Sequence, residues 1–364
     1  MADEYSQFKG LLKSVTQFIK NIWNDMRKEG FKRTLHKDMK DIYQFYLDDE
    51  MRDRLSEMKW YKRWAYLTVL VLKNMIIKLS PTRRILVLLS ILIYFYGRFV
   101  AQSNYFHLGF LILLLILILE LKDKLLSYDE LKEARILQLS MLPETFPKYP
   151  DIYIACYMKT ANEVGGDYYD FQQMEDGTLI VVIGDATGHG MKSGVVVTAI
   201  KSLFSALGAN PDISAFFNRC TQILKGMTLE YLYMAMTLIR IKNRTLTASV
   251  AGMPPILLYK SKDKIINEIS KGGTPLGFTE CHYQKTDMEL EPGDTILLMS
   301  DGFPELLNDK EEMLDYHRVK EYFKEAAHHA PEEIIAQLCD TGEKWRNERA
   351  QDDDITFVVL QVKQ

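Results

Sequence analysis

Four aspartates occupy the ends of predicted β-strands, where side chains from distant parts of the chain can meet. They are Asp167 in Gly-Gly-Asp-Tyr-Tyr-Asp, Asp185 in Gly-Asp-Ala-Thr-Gly-His-Gly, Asp301 in Ser-Asp-Gly and Asp353 in the run 352–354. Carboxylate oxygens are preferred ligands of hard divalent cations, and neighbouring glycines let the backbone approach closely. Two such cations about 4 Å apart can activate a shared water for in-line attack on phosphorus.

Each of these positions alone is weak evidence for a metal site. An Asp-Gly pair after a strand is usually a turn, and the run 352–354 alone is typical of a solvated edge. The four positions together, each at a predicted strand end, indicate a two-cation site for phosphoryl chemistry.

The elements that must position these aspartates are short strands joined by turns, with helices in groups. Apolar alternation between turn signals predicts strands over Ile152–Met158, Thr178–Ile183, Tyr231–Ile241, Leu246–Ala251, Ile256–Tyr259, Thr295–Met299 and Ile355–Gln361. Helical spacing predicts helices over Leu125–Met141, Ser193–Leu207, Ile213–Gly226, Tyr316–Ala327 and Pro331–Glu348. Strands that mostly follow one another through turns indicate an α+β domain with antiparallel sheets.

Seven motifs follow one another in order through the C-terminal two-thirds of the chain: Ala134–Gln138 with Leu142-Pro143, Val164–Asp170, Gly184–Gly190, Ala251–Pro255, Gly273–Gly277, Ser300–Gly302 and Asp353–Thr356. This set resembles the bacterial branch of the metal-dependent (type 2C, PPM) protein serine/threonine phosphatases. Within that branch it is similar to the stage-II-sporulation-E-like group, which includes regulators of stress-response sigma factors. The resemblance implies an αββα sandwich of two antiparallel sheets with the metal ions at one edge.

The resemblance also implies a role for each matching position. Asp185 would bridge two divalent ions, Mn or Mg; Asp167 and the main-chain carbonyl of Ala186 would complete one metal site, and Asp301 and Asp353 the other. Asp353 is chosen from its run because it stands three residues before Thr356 in Asp-Asp-Ile-Thr. A hydroxide bridging the metals would attack phosphoserine or phosphothreonine directly. The implied partner is a phosphorylated regulatory protein, such as an anti-sigma-antagonist-like protein.

The chain departs from the family pattern at several positions. Glu163 stands where eukaryotic relatives place a phosphate-binding arginine, so Lys159 is a candidate substitute, with a plain surface lysine as the alternative. His189 lies four residues after Asp185 and is not assigned as a general acid. Met253 replaces a family histidine. Two further matching acids, Asp170 and Asp354, are predicted to support the ligands rather than bind metal.

Charge and cysteine usage exclude some classes of function. Residues 1–84 hold 18 Lys/Arg and 11 Asp/Glu, whereas the whole chain of 364 residues has a net charge of −4. A basic N-terminal part suits an anionic membrane surface, and an acidic remainder argues against nucleic acid as a partner. The four scattered cysteines lack CxxC spacing, which excludes a zinc site and gives no sign of a disulfide framework.

Two apolar runs, Ile85–Ala101 and Tyr105–Leu119, are separated by an uncharged tripeptide and flanked by basic residues. They predict a transmembrane helical hairpin, with a pair of buried helices as the alternative. The predicted organisation is a basic helical region over 1–84, the hairpin over 85–121, a linker helix over 122–143 and the phosphatase domain over 144–364. Both flanking regions would lie in the cytoplasm at the inner membrane, and the linker helix could carry a homodimer contact.

Three functions are compatible with these features. The first is an active phosphatase tethered to a membrane and controlled by its N-terminal region. The second is a catalytically inactive scaffold that keeps the fold to bind a phosphoprotein, which the presence of all four aspartates disfavours. The third is a receptor whose main task is sensing, which the very short loop between the apolar runs disfavours.

Overall fold

The computed structural model describes residues 66, 69–70, 73–74, 76–100, 105–143, 147, 149–188, 190–207, 212–227, 232–347 and 349–364. Residues 1–65 of the basic helical region predicted over 1–84 lie outside this part. The chain divides into two compact units, Met1–Asp123 and Lys124–Gln364. The boundary falls inside one long helix, close to the start of the predicted linker at residue 122.

Two sheets build the C-terminal unit. The first has five strands in the order β1, β11, β10, β6, β7: Ile152–Lys159, Ile355–Val362, Thr295–Met299, Ile256–Lys260 and Ile265–Ile269. The second has the order β2, β3, β4, β5, β8, with β9 paired to β5: Asp167–Gln173, Leu179–Ala186, Met234–Lys242, Thr245–Ala251, Gly272–Gly273 and Thr286–Glu289. All pairs are antiparallel except the two-residue pairing of β5 with β8.

The central strands are apolar on both faces because each face is covered. In β3, Leu179, Val181 and Ile183 pack into the core between the sheets, while Ile180 and Val182 pack beneath helices. Strand β11 alternates in the same way between the intersheet core and the helices on the other side. A strand buried on both faces reads as a continuous apolar run, as these do.

The helices form the two outer layers of the sandwich. Helices α3 (Met191–Ser205) and α4 (Ile213–Gly226) cover the six-stranded sheet, and α5 (Tyr316–Ala326) and α6 (Pro331–Arg346) cover the five-stranded sheet. Helix α6 begins with proline and two glutamates and ends with basic residues, which suits the helix dipole. The predicted αββα sandwich is confirmed.

The predicted strand ranges leave out β2, β7, β8 and β9, which lie at the margins of the sheets. Strand β7 is largely half-exposed, and β9 alternates between half-exposed and exposed residues. Both contain polar residues and lack the apolar alternation that identifies a strand, because most of their side chains are only partly covered.

Two helices precede the sandwich. Helix α1 (Pro81–Phe95) continues into a π-helical turn, Tyr96–Val100, and α2 spans Tyr105–Ser140. The helices are antiparallel: Gly109 packs on the backbone of Ser90, and Arg83 donates to Glu120 and to Asp123, both at 2.6 Å.

No helix in the described part of the chain combines the length and apolarity needed to cross a bilayer. The transmembrane character predicted for the hairpin over 85–121 is therefore unsupported. Its first helix ends after 15 residues, short of the roughly 20 that a span requires.

Candidate metal centre

The first pair of predicted ligands meets across two neighbouring strands. Asp167 opens β2 and lies directly opposite Asp185, near the end of β3, in the antiparallel register. Side chains of directly opposed residues project from the same face of a sheet with their Cβ atoms about 5 Å apart. The pairing therefore places both carboxylates side by side, although 17 residues separate them along the chain.

The second pair lies at the corresponding end of the other sheet. Asp301 follows β10 and Asp353 precedes β11, which are adjacent antiparallel strands. The Ser300 hydroxyl donates to the Asp354 carbonyl at 3.2 Å and accepts from the Thr356 amide at 2.9 Å. A Cβ on Gly302 would lie 2.0 Å from that carbonyl, so only glycine permits this close approach.

Asp354 joins the two sheets at this edge. Its carboxylate is almost fully buried and accepts hydrogen bonds from the amides of Ala161 and Gly166, both at 2.7 Å. Thr356 of β11 also donates to the Asp167 carboxylate of β2 at 2.5 Å. These contacts bring the two aspartate pairs to one edge, and they are compatible with the supporting role predicted for Asp354.

Asp170 is the other predicted supporting acid. Its carboxylate accepts from the Tyr168 hydroxyl at 2.7 Å and from the Phe171 amide at 2.8 Å, and it forms an ion pair with Lys201. A buried carboxylate with this many partners is fully occupied in holding β2 against α3.

Concentrated negative charge dominates the electrostatics of the edge. Burial, followed by the charges of Asp167, Asp301 and Asp353, raises the pKa of Asp185 to about 9. Burial also raises the pKa of Asp167 to about 8, against the opposing hydrogen bond from Thr356. The pKa of Asp301 is raised by burial and then by Asp353. The carboxylates therefore repel one another across the edge, which is the environment that divalent cations neutralise.

The oxygen donors also leave room for a cation. A Cβ added to Gly166 would lie 2.5 Å from the Ala186 carbonyl oxygen and 2.6 Å from Oδ1 of Asp185, so both atoms face the space that glycine leaves free. Carboxylate and carbonyl oxygens suit Mg and Mn. Among the residues that the structure describes, no three His, Cys, Asp or Glu side chains form a closed metal cluster. The chemistry of the donors fits two divalent cations, and their binding stays a prediction.

The positions that depart from the family pattern have other partners. Glu163 accepts from the Tyr128 hydroxyl at 3.2 Å and from Arg135 at 3.3 Å. Lys159 lies 3.8 Å from the Glu343 carboxylate. Met253 packs in the core between the sheets. The last position in question, His189, lies outside the described residues.

Sequence reasoning missed the side chains that hold the Gly165–Asp167 segment from outside. Gln138 of α2 is buried; its amide nitrogen donates to the Gly165 carbonyl at 2.7 Å, and its amide oxygen accepts from the Gly165 amide at 3.1 Å. Ser193 of α3 donates to the same carbonyl at 3.1 Å. The signal in the sequence was the place of Gln138 at the end of the first of the seven motifs, Ala134–Gln138.

Comparison with known proteins agrees with this architecture. The sequence pattern of the family described as Stage II sporulation protein E (SpoIIE) matches residues 175–363, just over half of the chain. The match contains Asp185, Asp301 and Asp353 but begins after Asp167. Phosphoserine phosphatase RsbU of Bacillus subtilis (strain 168) is 24% identical over 240 residues, which cover 65% of this chain and 70% of RsbU. Phosphoserine phosphatase RsbP of the same organism is 23% identical over 192 residues, covering 49% of this chain and 46% of RsbP.

Solved structures show the same fold. The SiaA-PP2C domain of Pseudomonas aeruginosa superposes with a TM-score of 0.58 at 21% identity, covering 66% of this chain and 99% of that domain. The RsbU and RsbW domains of Rv1364c from Mycobacterium tuberculosis give a TM-score of 0.50 at 24% identity, covering 60% and 61% of the two chains. These likenesses identify the sandwich as a PP2C fold.

The raised pKa of Asp185 predicts a pH-dependent effect of removing its charge. The protonated Asp185 carboxyl contributes stability to the folded state. This contribution is complete below pH 3.8, the ordinary pKa of the group, and is lost as the pH rises through its raised pKa of about 9. We therefore expect Asp185→Asn to stabilise the metal-free protein by about 1–3 kcal/mol near pH 8, and by less at pH 5. Thermal unfolding in chelator at both pH values measures this difference.

Asp176→Asn is the matched control. The pKa of Asp176 is lowered to about 2, mainly by a hydrogen bond from Lys242, so loss of its charge gives no gain in stability. A lower melting temperature of Asp185→Asn than of the wild type in chelator at pH 8 would contradict charge repulsion at this edge.

Proposed function

The chain belongs to the Stage II sporulation protein E (SpoIIE) family, and from this premise we propose that it is a metal-dependent phosphatase of phosphoserine and phosphothreonine in a regulatory protein. The observation that carries the proposal is the meeting of Asp167, Asp185, Asp301 and Asp353 at one edge of a PP2C sandwich. Two relatives that match over much of the domain are named phosphoserine phosphatases.

The residues at this edge fall into two sets of cation ligands. Asp167, Asp185 and the Ala186 carbonyl would hold one divalent cation, and Asp301, Asp353 and the shared Asp185 the other, Mn or Mg. When bound, the cations supply Lewis acidity toward water and toward phosphoryl oxygens. The hydrogen bond from Thr356 holds the Asp167 carboxylate, and the hydrogen bond from the Gly166 amide to Asp354 holds the segment that leads into Asp167. Both contacts are in place before substrate arrives, and such preorganisation is what electrostatic catalysis requires.

An inactive scaffold that only binds phosphoprotein is the alternative. The geometry favours the enzyme because all four carboxylates are present and mutually repelling. A scaffold gains nothing from this arrangement, since buried like charges reduce the stability of the fold. The family of the relatives favours an anti-sigma-antagonist-like protein as the substrate.

Hydrolysis of an aryl phosphate tests the activity directly. We expect hydrolysis that Mn²⁺ stimulates, that chelator abolishes, and that Asp185→Asn lowers by at least about 100-fold, because loss of one charged donor costs several kcal/mol in the transition state. Asp176→Asn serves as the control. Full activity of Asp185→Asn, or activity that persists in chelator, would contradict the mechanism.

We propose further that the linker part of α2 controls this edge. Gln138 holds both main-chain polar groups of Gly165, two residues before Asp167, while Arg135 and Tyr128 contact Glu163 in the same segment. Ile136, Leu137 and Leu139 of the helix are exposed, which supports a homodimer through this surface. A monomer at micromolar concentration in analytical ultracentrifugation would contradict the dimer.

Substitution of Gln138 tests control through the linker. We expect Gln138→Ala to weaken Mn²⁺ binding by about 10-fold or more, because partners that orient metal ligands typically matter to that extent. Calorimetric titration of the full chain with Mn²⁺ measures the affinity. Ser140→Ala is the matched control, since its hydroxyl bonds only to the Leu137 carbonyl of its own helix. Equal Mn²⁺ affinities of both variants and the wild type would refute the role of Gln138.

The membrane context is a separate proposal. The helical hairpin of α1 and the first half of α2 exposes many large apolar side chains: Ile85, Leu88, Leu92, Phe95, Phe99, Phe110, Leu111, Leu115, Leu117 and Ile118. Such a surface is costly in water, and we propose that it attaches the chain to the inner membrane, with the N-terminal region and the phosphatase domain in the cytoplasm. We expect the full chain to sediment with membranes and to need detergent for release. Recovery in the soluble fraction would contradict it.

A further inference from the structure

A shallow, open cleft with about 20 Å³ of enclosed space lies between α6 and the first strands of the five-stranded sheet. Its lining contains none of the four carboxylates. Its polar and charged lining comes from two elements and the loop before β11: Tyr157, Lys159, Cys339, Glu343, Arg346 and Gln351. Two cationic side chains and one acid therefore line a shallow cleft, whose enclosed space suits the carboxylate end of a side chain of a bound protein.

The cleft adjoins the metal edge. The Gln351 amide donates to the main-chain carbonyls of Lys159 at 2.8 Å and of Asp353 at 2.7 Å, which fixes these two strand ends side by side. Phe303 and Ile355 line the cleft and stand two residues after Asp301 and Asp353, respectively. A peptide with its phosphoresidue at the carboxylates therefore passes the cleft within a few residues.

The floor of the cleft is rigid. Phe357 packs edge-to-face against Phe303, with ring centroids 4.8 Å apart, and stacks with Tyr157 at 6.0 Å. Aromatic pairs in these geometries are held by packing in addition to burial of their area. The polar groups at the rim are therefore mounted on a fixed surface.

The positive charges of Lys159 and Arg346 act on the interior of the cleft. Burial raises the pKa of Tyr157 to about 12, and the charge of Arg346 opposes that rise. Burial likewise raises the pKa of Cys339, and Lys159 opposes it. Both cations are thus within electrostatic reach of groups that line the cleft.

The acid in the cleft, Glu343, is a weak competitor for these cations. It lies 3.8 Å from Lys159, and the two side chains are 65% and 42% exposed. Such an exposed pair is worth about 0–1 kcal/mol. A carboxylate delivered by a bound protein can therefore replace Glu343. Nη1 of Arg346 already donates to the Arg349 carbonyl at 2.8 Å, and the remaining N–H groups of its guanidinium can donate to that carboxylate.

We propose that this cleft is a specificity subsite that binds an acidic side chain of the phosphoprotein substrate, close in sequence to the phosphoresidue, through Lys159 and Arg346. The inference rests on the proposed phosphatase function and adds to it a preference among phosphoproteins. The recognised group is a carboxylate rather than the phosphoryl group itself, because the phosphoryl group belongs at the carboxylate edge.

Two phosphoserine peptides test the subsite. One carries aspartates at the second and third positions on both sides of the phosphoserine, and the other carries asparagines there; an aryl phosphate reports on the metal edge alone. We expect wild-type kcat/KM to favour the aspartate peptide by about 3- to 10-fold, as one or two exposed charge contacts give. The preference should fall as salt screens these contacts.

Three variants of the full chain locate the effect. Lys159→Gln combined with Arg346→Gln should lower the preference for the aspartate peptide to below about 2-fold, whereas Glu343→Gln should raise it, because the internal competitor is removed. Lys242→Gln is the matched control, because Lys242 pairs with the exposed Asp176 at the end of β4 that lies away from the carboxylates. It should leave the preference as in the wild type.

The outcomes separate the subsite from the phosphatase function. Absence of the preference in the wild type, or its persistence in the double variant while the aryl phosphate is hydrolysed, would overturn the subsite alone. Failure of the wild type with Mn²⁺ to hydrolyse either the aryl phosphate or the peptides would overturn the proposed function, and the subsite with it.

Discussion

The buried carboxylate of Asp354 is the contact on which the candidate site depends. Desolvating a carboxylate is costly, so its oxygens must be matched by donors, and the donors here are main-chain amides of Ala161, Gly166 and Asp167. The amides of Gly166 and Asp167 lead into and open β2 of one sheet, whereas Asp354 leads into β11 of the other sheet, in which Ala161 follows β1. Satisfying one buried charge therefore forces the two sheets into register at this edge, and the four ligand carboxylates follow.

The same register creates an electrostatic conflict. It places Asp167, Asp185 and Asp301, whose pKa values are raised by burial and then by neighbouring carboxylates, close to Asp353, while the supporting acids Asp354 and Asp170 have their own donors. The division is physical: Asp354 and Asp170 each accept several hydrogen bonds from the protein, whereas the charge of Asp185 is opposed by those of Asp167, Asp301 and Asp353. Even two adjacent residues differ in this way: Asp353 is exposed, whereas Asp354 is buried.

Much of this arrangement could be predicted from local patterns. The turn motifs placed each aspartate at a strand end, and apolar alternation identified the central strands because both of their faces are covered. The contacts of Asp354 could not be predicted this way, since its partners lie nearly 200 residues away. The edge strands β7 and β9 were missed because their residues are largely half-exposed or exposed and include polar types. The transmembrane character of the apolar helices found no support, because α1 ends after 15 residues and the long helix α2 continues from its apolar part into a charged one.

The segment that carries Asp167 is where these constraints converge. Asp354 holds its amides from the other sheet, Ser193 holds the Gly165 carbonyl from α3, and Gln138 holds both polar groups of Gly165 from the linker. Two of these anchors belong to the sandwich and are fixed by its packing. The third belongs to a helix whose neighbouring apolar residues are exposed. A change in the linker can therefore alter the ligand segment without disturbing the core, because it is the one anchor that the sandwich does not itself fix.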